Sequence, residues 1–182
     1  METSEAIFNR RTIHVFESRK VSEEIILEGI KAANQAPCHK LTFPWRFYSI
    51  GLNKRKEILS LALELKSKNN SLGVKAIQII KDKYLKPSHL LIASQVLSDD
   101  QITIKEDYAA CSCAIQNLAI SMASNEVSIK WSSGSLTRNS RVYEITNINS
   151  SEEEIIGFIW IGYGKKPLKI SRPSINEIFK QI

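Results

Sequence analysis

Asn9-Arg10-Arg11-Thr12 places two guanidiniums beside a hydroxyl, and it is the first run in the sequence that could do chemistry. Arginine offers paired N–H donors to phosphate oxygens, so the run suits an oxyanion. Taken alone, an exposed basic turn is the simpler reading. A second group is Ala36-Pro37-Cys38-His39-Lys40, followed by Pro44-Trp45-Arg46-Phe47. Proline stiffens each end of a loop carrying a polar His and Lys. By itself, His39 reads as a surface or locally bonded histidine. A third is Trp131-Ser132-Ser133-Gly134, where glycine lets the chain turn sharply and aim successive N–H groups at a ligand. Most such turns bind nothing.

Spacing rejects other chemistries. Cys111 and Cys113 stand two apart in a helical pattern and so point to different sides. No other Cys or His pair completes a tetrahedral metal set, and no metal is expected. Cys38 and His39 are sequence neighbours without an orienting third group, a poor basis for a nucleophile and its base. No Gly-x-Gly-x-x-Gly or Walker-type loop occurs, so any nicotinamide cofactor would be a transient substrate. Asn69-Asn-Ser71 and Asn149-Ser-Ser151 have glycosylation spacing, which carries no meaning without export.

These loops need elements to hold them. Ser22 can cap a helix from about residue 22 to Gln35, with Glu23 and Glu24 in its first turn and Val21 stapling onto Ile26. Residues 45–51 read as a strand closed by Gly51. Helices are predicted over 54–66 and 74–84, and a strand over 89–97. Ile104, Tyr108, Cys111, Ile115, Leu118 and Met122 form one stripe of a long helix over about 103–125. Ala109, Ala110, Ala114, Ala119 and Ala123 occupy its other faces, permitting close approach inside the domain or against a second copy. Residues 127–131 suit a short strand, 137–144 a short helix and 155–163 a buried strand. Helices mixed with strands, without βαβ regularity, give an α+β class. No composition shift marks a linker, so residues 1–182 are expected to form one domain.

At 182 residues, 43% hydrophobic and 24% charged, the composition is that of an ordinary globular chain. Its apolar runs are far shorter than a bilayer span, so no membrane partner is expected. Three cysteines and a polar, acidic start favour a cytoplasmic location. The net charge of +6 raises the question of nucleic acid. However, Lys66, Lys68, Lys75, Lys81, Lys83 and Lys86 are scattered, with no recognition module beside them, so they are expected to form a solvated basic face.

Taken together and in order, these features resemble the nitroreductase family. They comprise the Arg-Arg-Thr start, the Ala-Pro-x-His-Lys loop leading to Trp-x-Phe, the Ala-rich helix, Trp-x-Ser-Gly-x-Leu-Thr, and Ile-x-Gly-Phe-x-x-x-Gly. The Pro-x-His-Lys form and the short length are similar to the family's compact bacterial branch. The likeness runs from Phe8 to Pro167 and is least marked over about 52–86. It implies a central mixed or antiparallel sheet flanked by helices, in an intertwined homodimer that binds FMN. It also implies electron transfer from NAD(P)H to a nitroaromatic or quinone-like small molecule by a ping-pong mechanism. Arg10 and Thr12, with Arg11 between them, would hold the flavin phosphate and ribityl chain. Gln35 and His39 would contact flavin across the dimer interface. Backbone at Trp131, Ser132 and Ser133 would face the redox-active edge of the ring. FMN carries the hydride chemistry, so no catalytic side chain is named.

Departures from the branch bear on turnover. Gln35 and Ser132 stand where relatives usually have arginines, Cys38 where they have an acid, and Phe43 where they have Gln. Two cations near the flavin would be missing, and Asn125–Lys130 lacks the usual glycines. Lys165 and Lys166 read as a solvated tail pair. A flavin-binding relative with little turnover and a basic non-enzymatic binding domain remain alternatives. A flavin spectrum and the rate of reduction by NAD(P)H discriminate among them.

Overall fold

The computed structural model describes residues 2–68, 71–165 and 170–182; Lys166 and Asn69 lie outside them. A short helix α1 (Thr3–Asn9) leads through an extended segment to α2 (Glu23–Ala33). The Ser22 side chain accepts from Ile25 N–H, as its position before two acids predicts. Strand β1 (Trp45–Ser49) is followed by α3 (Leu52–Ser67), for which Gly51 is the N-cap residue. Next come α4 (Val74–Leu85), β2 (His89–Val96) and the longest helix, α5 (Gln101–Ser124). Strand β3 (Ser128–Ser132) precedes a 3-10 turn over Ser135–Arg138 and α6 (Ser140–Thr146). The predicted helix over 137–144 is therefore split. Asn139 stops the turn and caps α6 by accepting from Arg141 N–H at 3.0 Å. Strand β4 (Glu153–Gly162) and a four-residue helix α7 (Ile175–Ile178) complete the order.

Among the described residues, four strands lie in the order β1-β2-β4-β3, and every strand pairing is antiparallel. A lone parallel bridge, Thr12 to Ile129, lays the N-terminal segment along the outer edge of β3. Both sheet faces are covered, which is why the central strands read as continuous apolar runs. Leu91, Ala93, Ile156, Ile159 and Ile161 pack beneath α2 and α5. Leu90, Ile92, Phe158 and Trp160 face the side of α3, α4 and α6. A bulge at Ala93/Ser94 leaves Ile156 outside the register, and its carbonyl accepts from Trp131 Nε1 at 3.3 Å.

The α5 stripe needs correction. Cys111, Ile115, Leu118 and Met122 are buried, but Tyr108 is 44% exposed, because the first turns of the helix run beyond the core. Ala110, Ala114, Ala119 and Ala123 are buried within the chain, so they serve the core, whereas Ala109 is exposed. The helix is covered by the sheet and by α2, which needs more than one apolar stripe. At Gly29 of α2 an added Cβ would stand 2.6 Å from Leu118 Cδ1, so glycine sets the close approach of α2 to α5.

Candidate functional site

The edge of β3 gathers most of the sequence-predicted residues. Asn9, Arg10 and Arg11 share a crevice with Ala123, Val127, Ser128 and Ile129. Arg10 is half-buried, and its guanidinium has no hydrogen-bond or carboxylate partner among the described residues. Burial holds its pKa below the usual arginine value, and the charges of Arg11 and Arg172 act in the same direction. Three guanidiniums without a carboxylate make a locus for an anion. Arg11 is partly engaged already: its Nη1 donates to the Phe8 carbonyl at 2.6 Å and to its own neighbour Arg10 at 2.8 Å, finishing α1. Thr12 is exposed on the bridge to Ile129.

Further along the same edge, strand alternation splits the next residues between the two sheet faces. The Trp131 indole turns toward α5 and covers Gly157, where any Cβ would collide with it. Lys130 pairs with Trp160 and Ser132 with Phe158, so both belong to the other face. There a cavity of about 210 Å³ is lined by Ser132, Gly134, Lys66, Lys83, Phe158 and Trp160, among others. The Lys83 ammonium lies 4.5 Å from the Trp160 ring centre, and Lys130 lies 5.9 Å from it. Burial, and then the charges of Lys130 and Lys66, push the Lys83 pKa down to about 8. Lys130 is lowered by burial and donates to His14 Nδ1 at 3.0 Å. The scattered lysines predicted for a solvated face thus include two, Lys66 and Lys83, that converge on Ser132.

Gly134 adopts φ −76°, so the turn does not use the left-handed region that glycine permits. Thr137 closes it instead, donating through both backbone and hydroxyl to the Gly134 carbonyl. Among the described residues, the N–H groups of Ser133 and Gly134 have no acceptor, so the turn presents free donors. Sequence reasoning missed His14, Lys83, Lys130 and Arg172. Two signals were available: His14 stands two residues after Thr12, and Lys130 shares the strand parity of Ser132.

Gln35 and His39 do not join this group within one chain. They lie before β1, on the opposite sheet edge from β3. His39 faces Glu106 at 3.9 Å, Lys40 reaches Thr103, and the Thr42 hydroxyl donates to Asp107 at 2.5 Å. All three contacts lie on the first half of α5, whereas Arg10 lies by Ala123. At ~1.5 Å per residue, seventeen positions of helix separate the two groups by roughly 25 Å. Lys40, Leu41 and Phe43 all have positive φ, and the Thr42–Asp107 bond holds this strained loop in place. Cys38 Sγ accepts from Phe43 N–H and donates to the His39 carbonyl at 3.6 Å, so these hydrogen bonds go to the loop backbone. Cys111 is buried, with its thiol pushed up to about 12, and Cys113 is exposed. No cluster of three metal-ligating side chains occurs among the described residues.

A family model described as the nitroreductase family matches residues 7–163. The Bacillus subtilis (strain 168) protein named "Putative NAD(P)H nitroreductase YfhC" is 26% identical over 180 residues, covering 97% of this chain and 92% of that protein. A solved nitroreductase-like family protein from Bacillus cereus superposes with a TM-score of 0.86 at 26% identity, over 100% of this chain and 96% of that one. The FMN and NADPH-dependent nitroreductase NfnB of Sphigopyxis sp. strain HMH gives a TM-score of 0.82 at 11% identity, over 100% of this chain and 99% of that one. At that identity the likeness is one of fold.

Proposed function

The chain belongs to the nitroreductase family, and we propose that it is an FMN-dependent oxidoreductase. In this reading, electrons pass from NAD(P)H to a small electrophilic acceptor of the nitroaromatic or quinone type. The observation that carries the proposal is the single strand edge that holds an uncompensated Arg10–Arg11–Arg172 cluster at one end and the Ser132–Gly134 turn at the other. With about 3.4 Å per residue, β3 spans ~14 Å between these ends, a reach suited to a phosphate anchor and a ring site on one extended ligand.

The residues present fit such a group. Arg10 supplies the half-buried charge that a phosphate would neutralise, and Thr12 supplies a hydroxyl beside it. The free N–H groups of Ser133 and Gly134 are donors for a polar ring edge. Lys83, from α4, and Lys130, two residues before Ser132 on the same strand, supply positive charge where Ser132 does not, and so offset the departure at position 132. FMN, when bound, supplies the hydride chemistry itself. The protein fixes its phosphate, orients the ring and sets the charge around it. One open face at the Ser133–Gly134 turn would serve nicotinamide and acceptor in alternation, which is ping-pong order.

The whole chain acts as one FMN-binding domain, and two copies form each pair of sites. Antiparallel packing of two α5 helices about their midpoints would bring the Gln35–His39 loop of one chain to the Arg10 end of the other. The exposed Ala109 and Cys113 are the small residues at that crossing. The tail exposes Ile175, Ile178 and Phe179, which suits contact with a second chain. No helix of the described residues is long and apolar enough to cross a membrane, and we place the protein in the cytoplasm. Denaturing the purified protein and chromatographing the released flavin tests the core of this proposal. FMN is expected; FAD or no flavin would overturn it.

A further inference from the structure

A larger cavity, about 370 Å³, opens between the segment before α2 and the start of α3, and it shares no lining residue with the cavity at Ser132. Its wall includes Arg55, only 8% exposed. Nε donates to the Ile50 carbonyl at 2.8 Å, Nη1 to Pro87 at 2.9 Å and Nη2 to Ser88 at 3.1 Å. All three acceptors are neutral, and no carboxylate lies within ion-pair reach of Arg55 among the described residues. A guanidinium has five N–H donors, so one on each terminal nitrogen is left over. A buried cation of this kind calls for a counter-charge.

The neighbours of Arg55 point the same way. His89 is 9% exposed and meets Glu23 through Nε2 at 3.1 Å, while its Nδ1 is buried without a partner. Arg19, Lys20 and Lys86 stand around the opening. Arg19 is held over the Tyr163 ring at 3.8 Å, and Lys86 is paired with Asp82 at 2.8 Å. Lys20 has no carboxylate partner among the described residues. The sixteen-residue helix α3 begins in the same wall, and its N-cap Gly51 offers no side chain to the first-turn N–H groups. With Lys86 already paired to Asp82, the three cations Arg19, Lys20 and Arg55 stand against one lining carboxylate, Glu23, and leave a surplus of about two charges that a single monoanion does not cancel.

We propose that this cavity is a second anion site, built for a small molecule carrying a dianionic phosphate and separate from the flavin site. Its volume leaves room for an organic group beyond the phosphate itself.

The test uses protein saturated with FMN, so that any flavin-phosphate site is filled. Inorganic phosphate is titrated calorimetrically at constant ionic strength, with chloride as the balancing ion. One saturable site per chain is expected. The double variant Arg19→Ala/Lys20→Ala changes only exposed side chains and should weaken phosphate about tenfold or more, whereas Lys68→Ala should leave it unchanged. Arg10→Ala should reduce FMN retention without changing phosphate affinity at this cavity, which separates the two proposals. Absence of saturable binding would overturn the site. So would equal weakening in Lys68→Ala, an unaffected double variant, or loss of phosphate together with FMN in Arg10→Ala.

Discussion

The Lys83 ammonium lies 4.5 Å from the centre of the Trp160 ring and lines the same cavity as Ser132. Burial and the charges of Lys130 and Lys66 bring its pKa from 10.5 down to about 8. Below about 8 the lysine is charged both folded and unfolded, and its burial costs stability. Between about 8 and 10.5 the unfolded chain binds more protons, so that cost is relieved as pH rises. Wild-type protein should therefore gain stability relative to Lys83→Met across this window, as read by denaturant midpoints. The functional sign is opposite. A positive charge beside the flavin favours its reduced, anionic form, so reduction by NAD(P)H should slow as pH rises through about 8. We expect a change of roughly threefold or more, the size of one partly screened charge. Stopped-flow rates should lose this step in Lys83→Met; a step of unchanged size there would remove Lys83 from the site.

Arg10→Ala should release FMN far more readily than Lys68→Ala or Lys75→Ala. A charge-assisted phosphate contact from a half-buried arginine is worth roughly 1.5–3 kcal/mol, about one to two decades of affinity, whereas a solvated lysine contributes little. Fluorescence titration of apoprotein with FMN reads the difference. Equal losses in all three variants would mean that general positive charge holds the cofactor.

Much of the scaffold was legible because its signals are local. Ser22 before two acids reads as a cap, and the Cys111–Ile115–Leu118–Met122 spacing reads as a buried helix face. The order of motifs was equally plain, since each is a short contiguous run. What escaped was proximity created by packing. Lys83 looks like any other lysine of a basic stretch until α4 lays it over Trp160. Lys130 reaches that ring only because β3 pairs with β4 in one register. Arg172 comes to Arg10 from a segment beyond the recognisable motifs. The roughly 25 Å between His39 and Arg10 likewise depends on which end of α5 each loop meets.

That separation makes the two-chain site testable by complementation. Arg10→Ala and His39→Ala chains should each bind FMN poorly as homodimers. Mixed dimers should regain one intact site, built from the unmodified Arg10 of one chain and the unmodified His39 of the other. Flavin content after mixing, unfolding and refolding together reads the result. Recovery no greater than the average of the parents would show that His39 does not act across an interface.

Gly29→Ala probes the α2–α5 contact independently of any cofactor. The new Cβ would press on Leu118 and Met122, both fully buried, and overpacking of this kind costs roughly 1–3 kcal/mol. A urea midpoint unchanged from wild type would mean that the helices separate without strain.

Ser132 pairs with Phe158 on the face that carries Lys130 and Trp160, and it lines the cavity with Lys66 and Lys83. An arginine at this position would add a further positive charge to a wall that already holds lysines. Ser132→Arg should therefore raise the two-electron potential of bound FMN. A shift of about 30 mV corresponds to ~1.4 kcal/mol for such a couple, a size suited to one partly screened charge. The same charge should push the Lys83 pKa further below about 8, moving the pH step in reduction rate downward. An NMR titration of the Lys83 side chain reads its pKa directly, so the lysine and the flavin potential are measured independently. A lowered Lys83 pKa with an unchanged potential, in a variant that still binds FMN stoichiometrically, would place the cavity apart from the flavin. The Arg10 anchor would survive that result, and the ring would have to be sought on the Trp131 face of β3.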